Sequence, residues 1–91
     1  MLRITAVAES PMLVTLKLDG RLVSDWVALL EEECLMWLRD HRTVLLDVAE
    51  VTFIDRRGVK MLRRITSDRL RIINASAFIT ELIEGDEPKV S

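Results

Sequence analysis

Val44-Leu45-Leu46-Asp47-Val48-Ala49-Glu50-Val51-Thr52-Phe53-Ile54-Asp55-Arg56-Arg57-Gly58-Val59 is the stretch that decides the fold of this chain. Thr43 to Val48 is almost continuously apolar and too short for a helix, which predicts a central strand buried on both faces. Asp47 is its exception. Val51, Phe53 and Ile54 lead on to Asp55, after which Val59, Leu62 and Ile65 recur at three-residue spacing, with Lys60, Arg63 and Arg64 on the opposite side. That spacing predicts a short helix. Asp55 stands at the junction, where its carboxylate can accept the orphan N–H groups of the first helical turn. Gly58, one turn in, lets that turn approach neighbouring backbone closely.

Towards the N-terminus, Leu2 to Ala8 alternates apolar with small or polar residues, the two-residue period of a half-buried strand. Ser10 and Pro11 break it, Met12 to Leu18 repeats it, and Asp19-Gly20 ends it, so an antiparallel pair is expected. Ser24 followed by Asp25 is a helix start signal for a helix reaching about Asp40. Trp26, Leu30 and Trp37 share one arc of it, flanked by Leu29, Cys34 and Leu38. This stripe either covers the sheet or turns a Trp at its margin to a partner. Towards the C-terminus, Leu70 to Ile73 reads as a strand and Asn74 to Ser76 as a turn. Ala77 to Glu84 then reads as a helix burying Phe78, Ile79, Leu82 and Ile83. The fold class is therefore α/β, a mixed β-sheet of about four strands covered by about three helices. Residues 1–91 form one domain, with a core at about 2–84 and a polar tail at 85–91.

Composition narrows the functions open to such a domain. Thirteen basic against 15 acidic residues give a net charge of −2, unlike the strongly basic balance of a nucleic-acid binder. No nucleic-acid partner is expected. A single cysteine and a single histidine, Cys34 and His41, supply neither a disulfide nor a zinc ligand set. No apolar run approaches a membrane span and no leader pattern opens the chain, so a cytoplasmic location without membrane insertion is expected. Catalysis needs a nucleophile with its base, paired carboxylates, a metal cluster or a phosphate loop, and none of these patterns occurs. No enzyme activity, catalytic residue, metal or cofactor is therefore expected. His41 reads as the end of the first helix and Cys34 as a core residue.

The central stretch resembles the STAS family, the domain of sulfate transporters and anti-sigma factor antagonists. In that family a buried strand of the form L-D-L-x-x-V-x-x-I/M-D runs into S-S/A-G-L at the start of the second helix. Asp47, Val51, Phe53, Ile54, Asp55, Gly58 and Val59 match that pattern. Leu70 to Ser76 is similar to the family's later strand with its N-x-S, and Asp19-Gly20 to its turn before the first helix. The resemblance implies a non-enzymatic, bacterial protein-interaction module acting in signalling and the regulation of transcription. Its partner would be a kinase-like anti-sigma factor, docked by the second helix and the loop before it. The alternatives are a cytoplasmic STAS subunit assembling with the ATPase of a lipid or anion transporter, and a homo-oligomeric scaffold.

One departure from the family matters more than the matches. The family residue directly after this Asp is a Ser or Thr that a partner kinase phosphorylates, and here it is Arg56. A guanidinium cannot take a phosphoryl group and is permanently positive, so the module is expected to lack phosphorylation control at the usual position. Arg57 restores no hydroxyl, and Thr52, Thr66 and Ser67 remain as other acceptors. The span from Gly58 to Leu70 is shorter than the family's, which predicts a trimmed second helix. The chain also stops soon after its third helix. Either loss exposes apolar surface for a homodimer or a bound partner to cover.

Arg56, Arg57, Lys60, Arg63, Arg64, Arg69 and Arg71 crowd one region, whereas acidic residues gather at Glu31 to Glu33 and Glu81 to Glu87. Such a cluster is either a solvated helix face, a docking face for an acidic partner, or a place where backbone N–H groups at the helix start hold an anion together with Arg56 or Arg57. The expected partner-binding set is Asp55, Arg56, Arg57, Gly58, Val59, Lys60 and Arg63.

Overall fold

A computed structural model describes residues 1–85, so all but the first residue of the expected polar tail lies outside the described residues. The chain runs β1 (Leu2–Glu9), β2 (Leu13–Leu22), α1 (Asp25–Arg39), β3 (Thr43–Ile54), α2 (Arg56–Ile65), β4 (Leu70–Ile73) and α3 (Ala77–Glu84). The strands form one sheet in the order β1-β2-β3-β4, with β1 antiparallel to β2 and the other two pairings parallel. This is the mixed sheet with three helices that the alternation of elements predicts. The parallel steps are the two strand-helix-strand units, since a parallel neighbour requires a crossover.

Every second residue of the central strands is buried: Val14, Leu16 and Leu18 on β2, and Val44, Leu46 and Val48 on β3. Their register places these side chains on the same side of the sheet, together with Leu70 of β4. The helices cover that side. Leu45 and Asp47 point the other way and are only partly buried, so β3 is not enclosed on both faces as expected. An apolar run long enough to suggest two-sided burial here serves a sheet covered on one side.

Two strand boundaries also differ from expectation. β2 does not end at Asp19-Gly20 but continues to Leu22, passing through Gly20 at φ 113°. A side chain there would strike the Met1 carbonyl, and only glycine tolerates that φ readily. β3 continues past Val48 to Ile54 with two irregularities against β2. One lies between the pairs Lys17–Asp47 and Asp19–Glu50, the other between Gly20–Val51 and Arg21–Phe53. Each inserts one extra β3 residue, and such bulges bend and twist a strand. Asp47 serves the first of them, its Oδ1 accepting the Ala49 N–H at 3.0 Å.

α1 is rotated from the arc expected for it. Val27, Leu30 and Cys34 are buried, Trp26 and Trp37 are half-buried, and Leu29 is 50% exposed. The buried line follows the groove between sheet and α2, which draws Val27 inward and turns Leu29 out. Trp37 Nε1 donates to Glu33 at 3.2 Å, and the Arg42 guanidinium lies 4.9 Å from the ring centroid, a cation–π contact. In α3, Ile79 is buried while Phe78 is exposed, against expectation. A helix of two turns meets the core along one narrow line.

His41 closes α1 through its backbone. It adopts φ 62°, its N–H donates to Leu38 O, and the next N–H, of Arg42, donates to Trp37 O. These are the two bonds of a Schellman motif, with histidine in the place usually held by glycine. Cys34 is a core residue. Burial pushes its thiol up to about 12, helped by the Glu33 and Glu31 carboxylates. Alkylation by iodoacetamide at pH 8 is expected to run about a thousand-fold slower than for a free cysteine until the protein is unfolded, measurable by mass spectrometry.

Candidate functional site

The junction between β3 and α2 is built around one carboxylate. Asp55 is the N-cap of α2, its Oδ1 accepting the Gly58 N–H at 2.8 Å. Its other oxygen, Oδ2, accepts the Ser24 N–H at 2.9 Å, from the residue that opens α1. One side chain therefore fixes the starts of two helices. Burial raises the Asp55 pKa, but the Ser24 and Gly58 amides and the nearby Arg57 charge outweigh it, and the net shift is downward from 3.8.

Ser24 does not play the part its hydroxyl promises. It precedes α1 at φ 53° and ψ −129° and makes no side-chain cap bond. A non-glycine residue in that region is strained. The bond from its N–H to Asp55 offsets the strain, so the signal read as a cap is a main-chain link to the second helix. Ser76 does cap α3 with its hydroxyl, accepting the Ile79 N–H at 3.1 Å.

Gly58 is needed at its position. A Cβ there would lie 2.7 Å from Ile54 Cγ2 and 3.1 Å from Leu22 O, both at the strand ends that α2 rests upon. Val59 beside it is also buried. Of the seven residues expected to meet a partner, Gly58 and Val59 thus set the position of α2 and present little surface. Arg56, Arg57, Lys60 and Arg63 are exposed, and Asp55 is half-buried between them and the sheet.

The remaining basic residues divide by role. Arg64 pairs with Glu31 of α1 at 2.8 Å. Arg69 reaches across to the end of α1, donating to Leu38 O at 2.8 Å and Arg42 O at 3.3 Å, so it is structural. Arg63 donates through Nε to Ile83 O at 2.7 Å near the end of α3. Arg42, which sequence spacing did not single out, pairs with Glu9 at 2.9 Å and with Asp40 at 3.1 Å. Arg56 and Lys60 make no hydrogen bond or ion pair among the described residues.

Arg56 and Arg57 occupy the first turn of α2, which contains no acidic residue. The helix dipole is positive at that end and disfavours cations there by about 0.3–1 kcal/mol each. Local stability does not account for the choice. Among the described residues no group of His, Cys, Asp and Glu could hold a metal ion, and no helix is long and apolar enough to cross a membrane.

The sequence matches no curated protein. Among solved structures, the chain is similar to that of the anti-sigma factor antagonist SpoIIAA in its unphosphorylated form. The TM-score is 0.62 at 16% sequence identity, covering 88% of this chain and 80% of that one. At that identity the likeness is one of fold. The family comparison rests on the sequence itself and matches the STAS domain over residues 5–81, from β1 into α3. A match of that extent, on a sheet and helices arranged as the central stretch requires, places this chain in the STAS domain family.

Proposed function

We propose that the chain is a non-enzymatic protein-interaction module of the anti-sigma factor antagonist type, docking a kinase-like anti-sigma factor through the start of α2. The contact set is Arg56, Arg57, Lys60 and Arg63, held in place by Asp55, Gly58 and Val59. The observation that carries this reading is the pair of exposed arginines in the first turn of α2, set against the dipole of their own helix. Residues that oppose local stability are expected where function requires them. Arg57 has the Asp55 carboxylate nearby, and an acidic partner surface would supply a countercharge for Arg56 and Lys60, which have none among the described residues.

Arg56 also gives the module its regulation. It is solvent-exposed at the position where the family pattern places a phosphorylatable hydroxyl, so capture of the partner is constitutive there. Thr52, Thr66 and Ser67 each have a hydroxyl engaged with nearby backbone, on Gly20 O, Leu62 O and the Arg69 N–H respectively.

Reversing the charge of Arg56 and Lys60 together tests the docking face, since neither side chain holds the fold. Arg56→Glu with Lys60→Glu should weaken binding to a purified anti-sigma kinase by roughly 30-fold or more, because like charges facing one another are strongly unfavourable. Calorimetric titration gives the affinity, and a thermal melt confirms that the variant is folded. Unchanged affinity would remove α2 from the interface.

A further inference from the structure

We infer that β1 is the contact surface of a homodimer, its outer edge pairing antiparallel with the same edge of a second copy about a two-fold axis at Ile4. The parity of the ladder shows which groups that edge offers. Arg21 N–H donates to Met1 O at 2.9 Å, so Arg3 and Thr5, opposite Asp19 and Lys17, also direct their main-chain groups to β2. Those of Leu2, Ile4 and Ala6 point away from the sheet, and no backbone group of a turn or loop among the described residues takes them up. The other edge of the sheet offers less: β4 has four residues, and Leu70 bonds both of its groups to Ser67. Beyond Ala6 an extra residue, Val7, enters β1 before Ala8 meets Thr15, and a bulge of this kind ends regular pairing.

The occupant is a second copy because the free stretch is complementary to itself. With the axis at Ile4, Leu2 faces Ala6 of the other chain and Ile4 faces its own counterpart, so every outward N–H meets an outward carbonyl. On the helix side of the sheet these pairs are apolar, and on the open side Arg3 faces Thr5. Moving the axis to Arg3 sets that residue against itself, and like charges directly opposite are unfavourable. Moving it to Thr5 carries Leu2 into the bulge. α1 supplies the rest of the surface. It links β2 to β3, and its Glu31 pairs with Arg64 of α2, so its opposite flank is turned towards β1. That flank carries Leu29 and Met36, both exposed, beside the half-buried Trp26 and Trp37. Ala6, on the helix side of β1, is exposed as well. The axis runs perpendicular to the sheet, so joining the two edges brings the two flanks face to face above the seam and covers apolar surface that a monomer leaves in water.

Sedimentation equilibrium on the full chain should show monomer and dimer in exchange, and Thr5, which is exposed, reports the register. Thr5→Glu should tighten the dimer and Thr5→Arg should weaken it, each by roughly five-fold or more, since the symmetry counts the contact with Arg3 twice. Ala6→Pro removes an outward N–H that the fold itself does not use and should leave only monomer. Circular dichroism checks that each variant is folded, and the Thr5 pair decides the matter even where the proline disturbs the strand. In hydrogen exchange, the Ile4 and Ala6 amides should be protected in concentrated protein and exposed on dilution, whereas those of Arg3 and Thr5 stay protected in both. The proposal is overturned if the chain remains monomeric up to about 1 mM, if Thr5→Glu and Thr5→Arg shift the equilibrium alike, or if the amides that gain protection on association belong to β4 or α2 rather than β1.

Discussion

Asp55→Ala is expected to lower the free energy of unfolding by about 3 kcal/mol, since hydrogen bonds to a charged group contribute about 1.5–3 kcal/mol each and this carboxylate accepts two. Loss of a cap alone would cost about 1 kcal/mol. The excess arises because Ser24 keeps its strained backbone after its acceptor is gone. Asp55→Asn separates the two bonds. The amide oxygen can still accept from Gly58, but its NH₂ group then meets the Ser24 N–H donor to donor. That variant should fall about midway, as measured by urea denaturation. The pH dependence follows from the depressed pKa. Its contribution is fully present above the unfolded value of 3.8 and is lost as pH falls through the lower folded value. The gap between wild type and Asp55→Ala should therefore narrow, by the charge-linked part of the difference, as the pH drops below about 4.

Gly58→Val should be at least as damaging, by about 3 kcal/mol or more, even though it replaces the second-worst helix former. Propensity favours substitution of a helical glycine by up to about 1 kcal/mol. Packing decides against it. The first added carbon already stands too near Ile54 Cγ2, a buried branched side chain that has little room to move, and near a backbone oxygen of β2. The two further methyl groups of valine would force α2 off the strand ends, and overpacking of this kind typically costs about 1–3 kcal/mol before the helix shifts. Gly58→Ala should cost less, and the ordering Gly, Ala, Val in thermal melting would show that space, not backbone freedom, selects the glycine. A melting point raised by alanine would contradict the close packing described above.

Much of this architecture is legible along the chain because β2 alternates, so that Val14, Leu16 and Leu18 carry their burial in their spacing, whereas the nearly continuous apolar run of β3 hides that only one of its faces is covered. Asp55 is legible too, since a carboxylate between an apolar strand and an amphipathic turn has few other uses. The bulges of β3 are not. Ala49 and Glu50 interrupt the apolar pattern, and only pairing with β2 shows that the strand runs on through them. Nor is the conformation of Ser24, whose residue type promises a cap while its backbone is fixed by a carboxylate 31 residues later. In the candidate site, the exposed cations follow from the helical period. The burial of Gly58 and Val59 depends on how α2 sits upon Leu22 and Ile54, which is tertiary information. Arg69 is misread for the same reason: its neighbours in sequence are basic, but its partners are carbonyls at the end of another helix.

The two supernumerary residues of β3 make spacing as much a specification as identity between Asp47 and Asp55. Ala49, Thr52 and Phe53 are exposed and can be exchanged for other residues with little consequence for the core. Removing any one of them would carry the carboxylate round by half a pleat and point it away from both helices. Drift at those exposed positions is therefore free in letters and frozen in count, whereas Val48, Val51 and Ile54 between them stay in the core, so an engineered or diverged copy can be judged by measuring its length before reading its residues.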